Sequence, residues 1–464
     1  MEISFAGGSY ETFSKNLNAQ ECVNFFTHID QEGGVNKLSL RAAPGLKVWK
    51  DTGKYASVRG AIKFGPFAYV VVGNAVYRLN SSKAATLCSG SLGTSTGAVS
   101  MAKNDTQVML VDGRHGYIIS ALAVTSISDD GFPDKPTTVT EQDRYFIVTS
   151  LGSSSGNISD LGDGSSWDST WDFNTNADTN ALAVISDHRD LFMLSEDSFA
   201  VWYNSGDDPP FTRKPGTTQE VGIAAKDSVV QLDNTLFFLT DDNQIVRLQG
   251  YNPTIISTRS IEYQIAQYSK KDDAVGMAIN IEGNAFYVLT FPTANETWCY
   301  NSASTFWHKL TSYPNEGRWR GNCYVNLNGT HLVGDYKNGI IYELDFETFA
   351  DNSEPSRRVR TISAIQQEGK LLFHHRLEVF FESGVGIITG QGSDPMAMLQ
   401  YSDDGGHTWS SELWRSVGKI GKYEWRAIWN RLGSARHRNY RLIVTDPVKW
   451  VVIGADLEVS QGVT

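Results

Sequence analysis

The chain has 464 residues, more than the roughly 250–300 that one hydrophobic core usually serves, so two or three units or a repeat architecture are expected. Apolar residues make up 41%, charged residues 20% and aromatic residues 11%, which excludes a largely disordered chain and fits strand-rich packing. The formal charge of −12 is uneven, with 14 Lys and Arg against 13 Asp and Glu after residue 350 and 26 against 39 before it; neither part carries the basic excess of a protein that grips phosphates.

The opening "MEISFAGGSY" has no signal-peptide character, and no later run nears about 18 apolar residues. A soluble product made in the cytoplasm, without membrane insertion, is expected. Cys22, Cys88, Cys299 and Cys323 lie far apart with no Cys-x-x-Cys pair, so buried free thiols are expected in place of a zinc site or disulfides. Residues 1–50 read as a lead-in segment that closes the domain after it.

From 51 to 350 a β-rich pattern recurs: "AYVVVGNAVYRL" (68–79), "VMLVDGRHGYII" (108–119), "YFIVTS" (from 145), "LFMLSEDSFAVWY" (191–203), "LFFLTDDNQIVRL" (236–248), "FYVLTFPTANETWCY" (286–300) and "HLVGDYKNGIIYEL" (331–344). The starts lie about 37–50 residues apart, the spacing of propeller blades. Seven signals point to seven blades; six is the alternative, because the third signal is weak. Asp112-Gly113, Asp242-Asn243 and Asn338-Gly339 supply hairpin turns. One short helix is expected within 260–269. The polar "DNSEPSRRVR" (351–360) marks a boundary, and the alternating runs of 351–464 predict an antiparallel β-sandwich. The fold class is therefore all-β, a propeller followed by a C-terminal sandwich.

"SDDGGHTW" (402–409) places Ser402, Asp404, Gly406, Thr408 and Trp409 in the spacing of an Asp box, the hairpin turn repeated in sialidase propellers. Turn chemistry accounts for it without catalysis: the carboxylate accepts loop N–H groups, glycine takes positive φ and the indole packs against the hairpin. It is the single complete copy, and it falls outside the expected propeller. The acidic pairs Asp207-Asp208, Asp241-Asp242, Asp272-Asp273 and Asp403-Asp404 read as solvated loop acids. The adjacent His374 and His375 would face opposite sides of a strand, poor geometry for a shared metal. No catalytic, metal or cofactor site is expected. The run 419–442 interleaves bases with aromatics, which suits either a nucleic-acid platform or a sandwich strand alternating Tyr423, Trp425, Ala427 and Trp429. The second reading is preferred, with Trp425, Arg426, Arg431, Arg436 and Arg438 as interface candidates.

Several phrases in order resemble the packaged-DNA stabilisation or tail-nozzle (hub) proteins of short-tailed phages such as P22: "NAQECVNFF" (18–26), "RAAPGLKVW" (41–49), "SGNISDLGDGSSWD" (155–168), "HRDLFMLSEDSFAVWYNSGDDPPF" (188–211), "VGIAAKDSV" (221–229), "RLQGYNPTIISTRSIEYQI" (247–265) and the stretch from "SDDGGHTW" to "RLIVTDP". The stretch 81–107 departs from that pattern. The resemblance implies a virion tail component without chemistry of its own, assembled in the host cytoplasm. It implies a homo-hexamer at the end of the portal and adaptor ring, with a needle or plug below and tailspikes or fibres beside it. Packaged double-stranded DNA would be retained, then pass through without specific binding. The acidic balance of residues 1–350 suits such a conduit, since acids facing the lumen repel a polyanion within a Debye length of about 8–10 Å. The alternative class is a carbohydrate-binding or sialidase-like tail propeller acting on host polysaccharide.

Overall fold

The structure is a computed structural model that describes residues 1–462 apart from 17, 31, 33–36, 175–178 and 315. Six blades are each cut from one contiguous stretch of chain as four antiparallel strands. The first blade runs from Val58–Phe64 to Ala85–Leu87, the second from Ser100–Lys103 to Ala123–Ser126, and the third from Pro136–Gln142 to Asp163–Asn174. The fourth runs from Ala181–Asp187 to Phe211–Arg213, the fifth from Val230–Leu232 to Asn252–Ile255, and the sixth from Val275–Ile281 to Phe306–Lys309. Second strands such as Phe67–Val72 and Asp190–Ser195 are continuous apolar runs because neighbouring blades cover both of their faces. Apolar layers between blades form the core; one joins Ile147, Ile158 and Phe173 of the third blade to Leu191, Met193 and Trp202 of the fourth.

The expectation of seven blades needs correction to six, the alternative. The last signal, 331–344, falls in a composite sheet that closes the ring: Gly321–Leu327, Thr330–Asp335 and Ile340–Asp345 are completed by Gly45–Asp51 from the N-terminal stretch. Leu344 pairs with Leu46 and Asp345 with Gly45. Glycine is needed there, since a Cβ at position 45 would lie 2.4 Å from the Thr348 carbonyl oxygen and 2.7 Å from that of Ala350.

The strands before residue 45 go elsewhere. Phe25–Ile29 and Leu38–Ala42 join Val451–Gln461, Leu372–Phe381 and Ala427–Asn430 in one sheet of the sandwich. Ala19–Val23 joins Arg358–Thr361, His437–Val444, Met396–Ser402 and Leu413–Ser416 in the other. Ala19–Val23 also meets the sixth blade, Val23 pairing in parallel with Lys309, so one sheet runs from propeller into sandwich. Among the described residues of the expected lead-in segment, Gly45–Asp51 closes the propeller and Phe26 and Ala43 pack against its sixth blade, while Phe5, Cys22, Phe25 and Leu40 join the sandwich core with Trp429, Tyr440 and Trp450.

The helix spans Arg259–Ala266 after the N-cap Thr258 and buries Ile261 and Ile265. Among the described residues no helix is long and apolar enough to cross a membrane. All four cysteines are free, three of them buried. Burial pushes the Cys22 thiol up to about 11, which keeps it un-ionised near neutrality.

Candidate functional site

The Asp-box turn forms as its residues require. Asp404 accepts from the backbone N–H groups of His407 at 3.0 Å and Thr408 at 2.9 and 3.0 Å, and from the hydroxyls of Thr408 at 2.6 Å and Ser402 at 2.7 Å. Hydrogen bonds from Thr408 and then Ser402 hold this carboxyl well below the usual range. The Ser402 hydroxyl in turn accepts the Gly406 N–H at 2.8 Å, and Gly405 and Gly406 take φ of 76° and 94°. Trp409 stacks beneath the Arg441 guanidinium, whose carbon lies 3.7 Å from the ring centroid. Gly405 abuts Asn16, so the turn docks on the N-terminal segment of the sandwich. Every oxygen of Asp404 is occupied by its own loop, and the geometry is that of a folding element.

The basic run 419–442 separates into three environments. Arg438 is buried, grips Asp403 through Nε at 2.6 Å and Nη2 at 2.7 Å, and stacks on Tyr401 at 4.2 Å. Its position as an interface candidate is therefore corrected: the side chain is spent inside the sandwich. Arg426 pairs with the buried Glu378 at 2.5 and 2.6 Å, and Arg376 contacts the same carboxylate, so these charges meet at the surface of one sheet. Arg436 donates to the Gly369 carbonyl at 2.6 Å, and Arg431, at φ 59°, is an exposed turn residue.

The expected alternation from Tyr423 to Trp429 holds only for Ala427 and Trp429, which are buried in the strand Ala427–Asn430. Tyr423 and Trp425 precede that strand in a loop, where they cover Gly384 and Gly418 and stay 74% and 49% exposed. They share one end of the sandwich with Ile387, Ile388 and Ile420, because the loop residue Gly421 donates to the Gly384 carbonyl at 3.1 Å. Ile388 is 81% exposed. These two joined loops, which also carry the exposed Lys419 and Lys422, offer apolar contact area at this end of the sandwich.

The first strands of the blades and of the composite sheet surround a central cavity of about 560 Å³. Its charged lining mixes Arg59, Lys103 and Lys226 with Glu141 and Asp227, so this inner wall is not acidic. Lys226 and Asp227 pair with each other at 2.7 Å. Among the described residues no three His, Cys, Asp or Glu side chains are grouped to hold a metal ion. His374 is buried and bonds Tyr440 at 2.8 Å, while the exposed His375 bonds Ser460 at 2.6 Å.

Sequence reasoning missed the buried arginines. Arg59 ties the first blade to the crossover that follows it, donating to the carbonyls of Gly97, Gly73, Thr94 and Thr96 at 2.6–2.9 Å and to the Thr94 hydroxyl at 2.8 Å. Arg360 fastens the N-terminal segment to the sandwich through the carbonyls of Phe5 and Gly8, both at 2.8 Å, that of Glu21 at 3.3 Å and Gln20 Oε1 at 3.0 Å. Arg358, equally buried, donates to the Phe349 carbonyl at 2.8 Å. The signal lay in "RRVR": positions 358 and 360 share one face of a strand, and two arginines on one face of a polar boundary mark an anchored edge.

Two family models match the chain. "Bacteriophage P22 Gp10, beta-propeller" covers residues 1–349 and "Bacteriophage P22 Gp10, beta-sandwich" covers residues 357–460. No curated protein matches the sequence. Similar solved structures include virginiamycin B lyase from Staphylococcus aureus, at 13% identity and TM-score 0.46 over 65% of this chain and 98% of that one. YCF48 from Cyanidioschyzon merolae matches at 9% and 0.42 over 65% and 99%. PorZ of Porphyromonas gingivalis matches at 12% and 0.38 over 71% of this chain but 44% of its own length. Scores this low carry no argument about the present chain. The two family matches together span the propeller and the sandwich, and the chain belongs to the bacteriophage P22 Gp10 family, the packaged-DNA stabilisation or nozzle proteins of phage tails.

Proposed function

We propose that this chain is a non-enzymatic structural subunit of the tail nozzle or hub of a short-tailed phage, closing the portal–adaptor channel, retaining packaged DNA and forming the conduit for its ejection. The observation that carries the reading is the family match over both domains. Six copies form a ring that meets the adaptor above, a needle or plug below and tailspikes or fibres at the side. Head-to-tail contacts of one chain generate such cyclic rings and cover sheet edges. The exposed cluster of Ile388, Ile420, Tyr423 and Trp425 supports a docking role for the sandwich, since isolated proteins rarely leave this much aromatic and aliphatic surface in one place. The acid excess of residues 1–350 lies on the ring's lumen and lets DNA slide without sticking.

The test uses particles assembled without the chain. They should lose packaged DNA, and purified chain added before release should restore retention. Retention unaffected by the chain would refute the reading, and release of reducing ends from host polysaccharide by the purified chain would favour the carbohydrate-active alternative.

A further inference from the structure

The inner strands of the third, fourth and fifth blades each run into a two-residue turn in which both residues take positive φ: Asp143-Arg144 at 50° and 73°, His188-Arg189 at 51° and 65°, and Asp233-Asn234 at 50° and 65°. Ile185 and Ser186 line the central cavity, so the turn that follows them lies at one mouth of the channel. A turn of this kind favours Asn-Gly, and a His-Arg pair in it needs support from its surroundings. That support comes from both neighbouring blades.

Toward the third blade, Arg189 Nη2 lies 3.1 Å from Asp143 Oδ1, and Gln142 Nε2 donates to the Arg189 carbonyl at 2.7 Å. Toward the fifth blade, the His188 ring is held at both nitrogens: Nδ1 is 2.7 Å from Asp187 Oδ1, and Nε2 is 2.9 Å from Asn234 Oδ1. Asp187 is 9% exposed and also accepts Gln231 Nε2 of the fifth blade at 2.5 Å. We propose that His188 is a pH-sensitive clasp between the fourth and fifth blades at this mouth, closed when its ring is protonated and released when it is neutral.

Both ring nitrogens face oxygen acceptors, and only the imidazolium donates from both; the neutral ring keeps one N–H and gives up one of the two bonds. The charges around the ring favour the proton. Asp187 and Asp190 lie on its own blade, and Asp190 is shared by Lys214 at 3.1 Å and the Tyr251 hydroxyl at 2.5 Å. From the fifth blade, Asp233 stands beside Asn234 and accepts the Ser302 hydroxyl at 2.6 Å. The neighbouring bases Arg189 and Lys214 are each engaged by an acid. The hydrogen bond to Asp187 first, and then the charge of that carboxylate, raise the His188 pKa above its ordinary 6.5. Stability contributed by the clasp is therefore present below pH 6.5 and is lost as pH rises through the raised value.

The earlier blades provide an internal comparison. Arg144 and Asp105 at 3.9 Å link the third blade to the second, and Arg189 and Asp143 link the fourth to the third. A guanidinium paired with a carboxylate does not titrate near neutrality, so the pH response is confined to the junction of the fourth and fifth blades.

The experiment follows histidine ring signals of the full chain by NMR and its amide exchange at about pH 5.5 and about pH 8, corrected for the intrinsic pH dependence of exchange. His188→Asn identifies the ring signal by its loss, and asparagine suits positive φ, so the turn is kept while the titrating group goes. The expected midpoint lies above 6.5 and falls in Asp187→Asn. Protection along Val230–Leu232 and Thr235–Leu239 should drop about two- to fivefold on raising the pH, and should not change with pH in His188→Asn. The proposal is overturned by a midpoint at or below 6.5, or by a loss of protection that His188→Asn shares. Protection that stays constant or grows as the pH rises also overturns it, growth being the outcome for a neutral ring that accepts from the Asn234 amide group.

Discussion

The second to fifth blades and the junction between propeller and sandwich are held together by different means. In those blades every ladder is made within one stretch of chain, and neighbouring blades meet through apolar layers such as that around Leu191 and Trp202. At the junction, strands from both ends of the chain share sheets, and buried guanidinium groups bind carbonyls of distant segments. Apolar layers lose stability roughly in proportion to what is removed. A buried arginine leaves its acceptors stranded when it goes, so the junction should fail more abruptly.

The largest effect is expected from Arg360→Met, which strands the carbonyls of Phe5, Gly8 and Glu21 in a site where the arginine is 1% exposed. The expected loss is about 3–5 kcal/mol in denaturant unfolding, with amide exchange rising along Ala19–Val23. A loss under about 1 kcal/mol would erase the distinction between the two regions. Leu191→Ala, at a fully buried position of the fourth blade, should cost about 2–5 kcal/mol, with faster exchange confined to the third and fourth blades.

A smaller effect is expected from acid. Burial first, and the Arg438 charge second, push His374 down to about 4, so between pH 6.5 and 4 the unfolded chain binds a proton that the folded sandwich refuses. Stability contributed by this group is lost as pH falls through that window. Asp351 acts with the opposite sign: burial raises it to about 6, so the folded chain gains stability as pH falls from 6 toward 4. Melting temperature measured against pH should fall less steeply in His374→Gln than in the native chain. The smallest effect on stability is expected from Ile388→Ser combined with Trp425→Ser, both exposed, which should leave melting unchanged while reducing attachment to tail particles in a sedimentation assay.

The blades were legible in the sequence because each is local: an apolar second strand, a tight turn and a third strand recur within about 15 residues. The Asp-box turn was legible for the same reason. The composite sheet was legible only in part: 331–344 gave a signal and residues 1–50 were expected to close the propeller, but the pairing itself was not readable, because Gly45–Asp51 and Ile340–Asp345 are separated by almost the whole propeller and neither run names its partner. The N-terminal strands looked like part of the propeller, yet Phe5, Phe25 and Leu40 bury themselves in the sandwich. Arg438 looked like a surface base because its strand alternates, but its partner Asp403 sits 35 residues earlier in the chain. Tyr423 and Trp425 misled in the opposite direction, continuing an alternating pattern that the backbone abandons at the loop.

Electron cryomicroscopy of tails from particles reconstituted with this chain tests the structural role most directly. The account predicts six copies in a ring distal to the adaptor, with the propellers around the channel and the sandwich loops at Ile388 and Trp425 against a neighbouring protein. Density showing the chain only as a peripheral appendage, or absent from purified particles, would contradict it.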